Sequence, residues 1–168
     1  MVLDHIERVA YTANSNRANP IVLERFCTHF QYEPMAFDAF DETGRAVYHT
    51  NVMMAIASQF ALIGSQMIAH DGRRQEILHR LESTGRKIID LSFAQIGAFA
   101  GNALELMGND GRFLAISKTA YNVLTEAQIQ SIETVVPIVP LDVSTIELAG
   151  GSVRCMLAGI HLSRRVPV

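Results

Sequence analysis

The sequence has only two cysteines in 168 residues, Cys27 and Cys155. Two thiols this far apart do not make the disulfide framework of a small secreted scaffold, so a reducing, cytoplasmic setting is the expectation. No C-x-x-C or H-x-x-x-H pair occurs, which argues against a metal site. No excess of positive charge is present either. Fourteen Lys and Arg stand against 17 Asp and Glu, for a net charge of −3, and no basic stripe is visible, so nucleic acid is not an expected partner. Long hydrophobic runs are missing. The longest, Val52 to Gly64, is interrupted by Ser58 and Gln59 and is too short to cross a bilayer as a helix. Met1 to Glu7 lacks a basic segment followed by an apolar core, so no signal peptide is read there.

What is present is the composition of one globular domain, 49% hydrophobic and 18% charged. A chain of this length buries about 70% of its unfolded surface. Ile6 to Ala13 reads as a strand. Asn19-Pro20 then opens a helix with proline in its first turn. That helix has the apolar face Val22, Leu23, Phe26, Cys27 and Phe30. Met35 to Phe40 is the next strand, closed by the turn Asp41-Glu42-Thr43-Gly44. The pattern recurs with strands Val52 to Ala57 and Phe60 to Gly64. Asp71 is expected to cap a helix whose inner face is Ile77, Leu78 and Leu81 and which Gly85 ends. Lys87 to Leu91 is a strand, and Ser92 with Gln95 forms a capping box for a short helix. A third copy has strands Ala103 to Leu106 and Arg112 to Ser117. A capping box at Thr125 and Gln128 follows, on a helix with Ile129 and Ile132 inward. Its last strand is Val135 to Val139, stopped by Pro140. Val153 to Leu162, after Gly150-Gly151, reads as a closing strand.

The main helices start near positions 20, 71 and 125, so a strand–strand–helix–strand module recurs about every fifty residues. The strands are mostly apolar runs, which places helices on one face of each sheet. An ordinary doubly wound sheet is the alternative. The paired strands before the second and third helices, and the absence of the dinucleotide fingerprint, weigh against it.

Taken singly, the reactive residues have ordinary explanations. A lone cysteine in an apolar strand is usually core filler, and Cys27 on its helix face reads that way. His49 is a capping or surface residue by default, Asn51 a turn cap, and Asn102 a turn residue at positive φ. His70, His79 and Arg73-Arg74 belong to a polar helix face.

Three stretches change that reading: His49-Thr50-Asn51-Val52-Met53-Met54, Phe99-Ala100-Gly101-Asn102-Ala103-Leu104-Glu105, and Gly150-Gly151-Ser152-Val153-Arg154-Cys155-Met156. Together, in this order, they resemble the amidinotransferase or arginine deiminase (pentein) superfamily, and most closely its arginine-deiminase-related citrulline hydrolases. Phe26-Cys27 and Tyr32-Glu33-Pro34 extend the likeness over almost the whole chain. The resemblance implies an α/β propeller of five strand–strand–helix–strand modules around a channel. Residues 1–168 would then be the C-terminal part of such a domain, about three modules of five. It implies Cys155 as nucleophile, His49 as general acid/base, and Asn51, Asn102, Gly150 and Gly151 as substrate-binding positions, with no metal and no organic cofactor. Asn51 stands where several relatives carry an aspartate, and Gly159 stands where a glutamate is expected.

The chemistry fits those residue types. A guanidinium or ureido carbon is a poor electrophile, and a thiolate is a strong nucleophile. A free thiol has a pKa near 8.5 and needs a positive or donor-rich setting to ionise, which protonated His49 would supply. His49 would then protonate the departing ammonia and deprotonate the hydrolytic water. Gly150-Gly151 leaves room for the backbone to approach a substrate and to point N–H groups at it. The expected substrate is a small amino acid of the citrulline or arginine type. Carboxylates that grip a guanidinium are the gap, because in the family they come from the N-terminal half, including a Glu-Gly-Thr-Gly run. The chain is therefore expected to be incomplete as an enzyme and, with open sheet edges, prone to form homo-oligomers. The rivals are an amidinotransferase, which uses the same thiol intermediate, and a non-catalytic remnant or partner-binding subunit.

Overall fold

The computed structural model describes residues 1–159. Its nine strands form three sheets of three. The first holds β1 (Val2–Asp4), β2 (Val9–Ala13) and β3 (Glu33–Phe37); the second β4 (Met54–Ile56), β5 (Phe60–Ile63) and β6 (Lys87–Asp90); the third β7 (Leu104–Gly108), β8 (Gly111–Ser117) and β9 (Ile138–Leu141). In each sheet the first two strands are antiparallel and the third is parallel to the second. A parallel return requires a crossover. It is made by α1 (Pro20–Phe30) and by α2 (Asp71–Glu82) in the first two sheets. After α3 (Phe93–Gly97), α4 (Lys118–Tyr121) and α5 (Glu126–Glu133) make the third crossover, and α6 (Ser144–Glu147) follows β9. The chain is thus a mixed α/β protein built from three strand–strand–helix–strand modules, as expected. The first strand of each module lies against the first strand of the next, β1 beside β4 and β4 beside β7.

Several boundaries differ from expectation, each for a local reason. Ile6 to Ala13 is not one strand. Asp4 Oδ1 accepts the N–H groups of Ile6 and Glu7, and Arg8 takes a left-handed φ of 58°, so the chain turns between β1 and β2. The first module therefore has the paired strands that the sequence showed only in the other two. The strand expected from Met35 starts two residues earlier and ends at Phe37. Asp71 is not the cap of α2. His70 holds that position without a side-chain bond, and Asp71 sits in the first turn beside Arg74. Pro140 does not stop β9 but lies within it, paired with Ile116. β9 is an edge strand with a single neighbour, where a missing N–H on the outer side costs nothing. On α1, Leu23 and Cys27 are buried, but Val22 and Phe30 are exposed. The closing strand is absent over Val153–Met156, which form a 3₁₀ turn; its remainder, from residue 160, lies outside the described residues.

Both capping boxes are present, Ser92 with Gln95 and Thr125 with Gln128. The two glutamine side chains also bond to each other, Gln95 Nε2 donating to Gln128 Oε1 at 2.7 Å. One core cluster runs through all three modules, and a smaller one sits under α1 around Ala10, Leu23 and Cys27. All four residues of β5 are buried. Burial of Phe60, Leu62 and Ile63 contributes on the order of 1.5–3 kcal/mol each as an upper estimate.

Candidate active site

Three irregular segments meet at one end of this frame. The first is the 3₁₀ turn Thr50–Val52. Buried Thr50 fixes it, because its Oγ1 accepts the N–H of Ala13 at the end of β2 at 2.9 Å. The second is the bend after α3. Phe99 adopts a left-handed φ of 66° and its carbonyl accepts the N–H of Asn102 at 2.8 Å. Gly101 presses against the first segment, so closely that a Cβ there would lie 2.6 Å from the Val52 carbonyl oxygen. The positive φ expected at Asn102 thus belongs to Phe99 instead. The third segment is Gly150 to Met156. Gly150 has a φ of +89°, open only to glycine at low cost. Ser152 is fully buried and its hydroxyl donates to Glu147 Oε1 at 2.7 Å. Thr119 donates to the other oxygen of Glu147 at 2.6 Å. Burial works against the charge on Glu147, but the hydroxyls of Ser117, Thr119 and Ser152 outweigh it and hold the carboxyl below its ordinary range.

The meeting point is Cys155. It is exposed, whereas Cys27 is buried and its thiol is pushed up by desolvation. Two carboxamides donate to Cys155 Sγ, Asn102 Nδ2 at 3.2 Å and Asn51 Nδ2 at 3.6 Å. Asn102 is almost fully buried and is held from three sides. Its Nδ2 also donates to the Asn51 carbonyl at 2.7 Å, and its own carbonyl accepts the N–H of Arg154 at 3.2 Å. Gly151 lies against the cysteine, where a Cβ would come within 3.3 Å of Cys155 Cβ and 3.6 Å of Sγ. Tyr48 closes the other side, its hydroxyl donating to the Gly150 carbonyl at 3.3 Å.

The structure therefore brings together Cys155, Asn51, Asn102, Gly150 and Gly151. His49 is next to this group in the chain but makes no hydrogen bond to the sulfur among the described residues. It is exposed and its ring stacks obliquely on Tyr48, with centroids 4.8 Å apart. Partial desolvation, then the charges of Arg17 and the amino terminus, hold its imidazole below the ordinary 6.5. It is neutral at pH 7, so the donors facing the sulfur are amides and not an imidazolium. Arg154, half-buried beside Cys155, was not singled out in the sequence; burial lowers its pKa and the adjacent thiol raises it. Its place next to Cys155 in the chain is the one signal the sequence offers for it.

A cavity of about 350 Å³ opens at the thiol, lined by Asn102, Gly150, Gly151 and Cys155, by the apolar side chains of α3 and its surroundings, and by residues of the turn that precedes Tyr48. Among the described residues, no group of three or more His, Cys, Asp or Glu side chains is arranged to hold a metal ion. No helix among them is long and apolar enough to cross a membrane.

Comparison with known proteins agrees with this architecture. The model of the family described as N,N dimethylarginine dimethylhydrolase, eukaryotic, matches residues 1–162. No curated protein sequence matches. Among solved structures, the chain is similar to ArgZ, an arginine dihydrolase from the ornithine–ammonia cycle in cyanobacteria, with a TM-score of 0.69 at 15% identity, covering 92% of this chain and 23% of that one. The N-terminal domain of ArgZ with a covalently bound reaction intermediate matches with a TM-score of 0.69 at 15% identity, over 92% of this chain and 52% of that one. AgrE in complex with ornithine and NAD+ matches with a TM-score of 0.71 at 18% identity, over 99% of this chain and 22% of that one. The chain thus spans between about a fifth and about a half of the length of these structures.

Proposed function

The chain belongs to the N,N-dimethylarginine dimethylhydrolase family of the pentein superfamily, and from that premise we propose that it hydrolyses carbon–nitrogen bonds of guanidino or ureido amino acids through a covalent intermediate on Cys155. The observation that carries this reading is the convergence of two carboxamide donors on an exposed sulfur that faces a cavity. Asn51 and Asn102 thus aim amide N–H groups at the atom that is to attack, where charge develops during the reaction.

In the proposed sequence, Sγ attacks the guanidino or ureido carbon. The carbon–nitrogen bond breaks and the departing ammonia or amine takes a proton. Water then adds to the same carbon, the carbon–sulfur bond breaks, and the thiolate returns. His49, neutral at rest, takes the proton of the Cys155 thiol as the sulfur attacks, passes it to the departing nitrogen, and then takes a second proton from the attacking water. It stands two residues from Asn51 and needs a rotation or a bridging water to reach the reacting atoms. Apo geometry alone does not disqualify such a group. Gly150 and Gly151 keep the approach to the sulfur free of side chains.

Incubation with L-arginine, L-citrulline and N,N-dimethylarginine, with ammonia and dimethylamine measured separately, tests the proposal. Release from one of them is expected, slow because the carboxylates that would grip a guanidinium are the gap in these residues, and Cys155→Ser abolishes it. Release that survives Cys155→Ser sinks the covalent mechanism.

A further inference from the structure

The wall of the cavity opposite the apolar side chains is a tight turn. It is closed by the Phe40–Ala46 bridge and by the Asp41 N–H bond to the Arg45 carbonyl at 2.9 Å. Three charged residues of this turn, Asp41, Glu42 and Arg45, line the cavity together with Cys155. They differ in what they are free to do. Asp41 Oδ1 accepts from Thr43 N–H at 2.8 Å, Thr43 hydroxyl at 2.7 Å and Arg45 N–H at 3.0 Å. Those bonds, the Thr43 hydroxyl first, hold its carboxyl below the ordinary range. Asp41 therefore stiffens the turn. The Glu42 carboxylate and the Arg45 guanidinium are exposed and form no ion pair or side-chain hydrogen bond among the described residues, and Arg45 acts on Asp41 only through its charge, the smallest of the effects on that carboxyl. Charges on an exposed turn are commonly only solvated. Here both sit on the wall of the one cavity that holds an exposed thiol, and the base of the turn touches the thiol's own loop through Tyr48 and Gly150. The cavity lining also includes Val52, Met67, Phe93, Ile96 and Phe99, apolar side chains that suit methylenes.

We propose that this turn reads the amino-acid end of the substrate, with Glu42 taking the α-ammonium and Arg45 the α-carboxylate while the side-chain carbon reaches Cys155. An unspent carboxylate and an unspent guanidinium on one stiff turn complement a zwitterion. A guanidino compound without a carboxylate leaves Arg45 facing a cation, and one without an amine leaves Glu42 unmatched. The inference rests on the guanidino or ureido reading of the site and adds its specificity.

The test is protection of Cys155 from iodoacetamide, read by peptide mass spectrometry so that Cys27 is scored separately. The ligands are L-arginine, agmatine, which lacks the carboxylate, and 5-guanidinopentanoate, which lacks the amine. L-Arginine is expected to protect at a concentration at least about tenfold lower than either analogue, as charge-assisted pairs of this kind are strong. Arg45→Gln removes the advantage over agmatine, and Glu42→Gln the advantage over 5-guanidinopentanoate. Equal protection by all three ligands in the wild type, or an arginine advantage that survives both substitutions, overturns the proposal alone. Protection by none of them overturns the guanidino reading and this inference with it.

Discussion

At the scale of single residues, the sulfur of Cys155 is held by amides, and that has consequences for reactivity and for pH. Asn102 Nδ2 faces two acceptors, the Asn51 carbonyl and Sγ. Asn102→Asp replaces a donor with a carboxylate at the same place and sets two anions side by side. Alkylation of Cys155 at pH 7 is expected to slow by about tenfold or more, since a nearby like charge disfavours the thiolate. Asn102→Ala removes the donor without adding charge and slows it less. If the aspartate variant alkylates as fast as the wild type, the amides do not govern the reactivity of the sulfur. The pH dependence belongs here too. His49 is held below 6.5 by partial desolvation, then by Arg17 and the amino terminus. In the proposed role of base it works neutral, so the acid limb of kcat/KM is expected below pH 6.5. The linked stability has the same sign: the unfolded chain takes up this proton at higher pH than the folded one, so stability is lost as pH falls through that window. Arg17→Gln removes one of the opposing charges and is expected to move the acid limb upward. A limb that stays in place would show that His49 does not control it.

At the scale of elements, the site is carried by turns and not by regular strands, and this decides what the sequence could reveal. The helix starts at Pro20, Ser92 and Thr125 were legible because caps are local chemistry. So was the fifty-residue recurrence, because each apolar run marks a strand. The turn into β2 was not, since Asp4 accepts from two backbone groups of polar residues that carry no periodic signal. The 3₁₀ turn at Val153–Met156 was misread as strand because four residues with two apolar side chains suit either geometry. The three site motifs could be recognised as stretches, yet their mutual contacts depend on close approaches that only folding creates. Gly101 shows this. Without coordinates it is a flexible turn residue, whereas in the fold it must lack a side chain, because any Cβ collides with the Val52 carbonyl at 2.6 Å. Gly101→Ala is expected to destabilise the protein by about 1–3 kcal/mol and to weaken the Asn102 grip on Asn51 and Cys155. Phe99 offers the opposite case. Its left-handed φ stores about 1–2 kcal/mol of strain, but its ring is part-buried against the core, so Phe99→Gly is expected to lower stability by less than the ~3–5 kcal/mol of a core Phe truncation while loosening Asn102 and slowing Cys155 alkylation. Thermal unfolding and alkylation measured on the same samples check both. Unchanged alkylation in Phe99→Gly would mean that this backbone bend has no part in holding the site.

At the scale of the whole molecule, the three modules are joined by few but well-buried polar ties, and the sulfur lies where their turns converge. Glu105 at the start of the third module accepts from the Ser58 N–H at 2.8 Å and the Ser58 hydroxyl at 3.0 Å in the second. Asp4 of β1 and Arg86, just before β6, form an ion pair at 2.8 Å with side chains 1% and 3% exposed. Arg86 spends its other donors on the Ala57 carbonyl at 2.9 Å and the Thr84 hydroxyl at 2.7 Å. Thus Arg86 ties the first module to the second, alongside the more exposed Arg80–Glu33 pair and the Arg73 bond to the Ala36 carbonyl. A buried pair of this kind adds little net stability over an apolar substitute, but loss of one partner leaves a charge buried alone. Arg86→Met is therefore expected to cost about 3–5 kcal/mol. The double variant Asp4→Leu, Arg86→Met is expected to recover only part of that loss, since no charge is then stranded but the Asp4 bonds to the Ile6 and Glu7 N–H groups are gone too. Denaturant unfolding of the two single variants and the double variant measures the coupling as a cycle. Additive losses in the double variant would mean that the pair is not what locks the two modules together. Partial recovery with slowed Cys155 alkylation would instead show that the directed bonds of Asp4 and Arg86, and not the volume they fill, serve the registration of the two modules at the thiol.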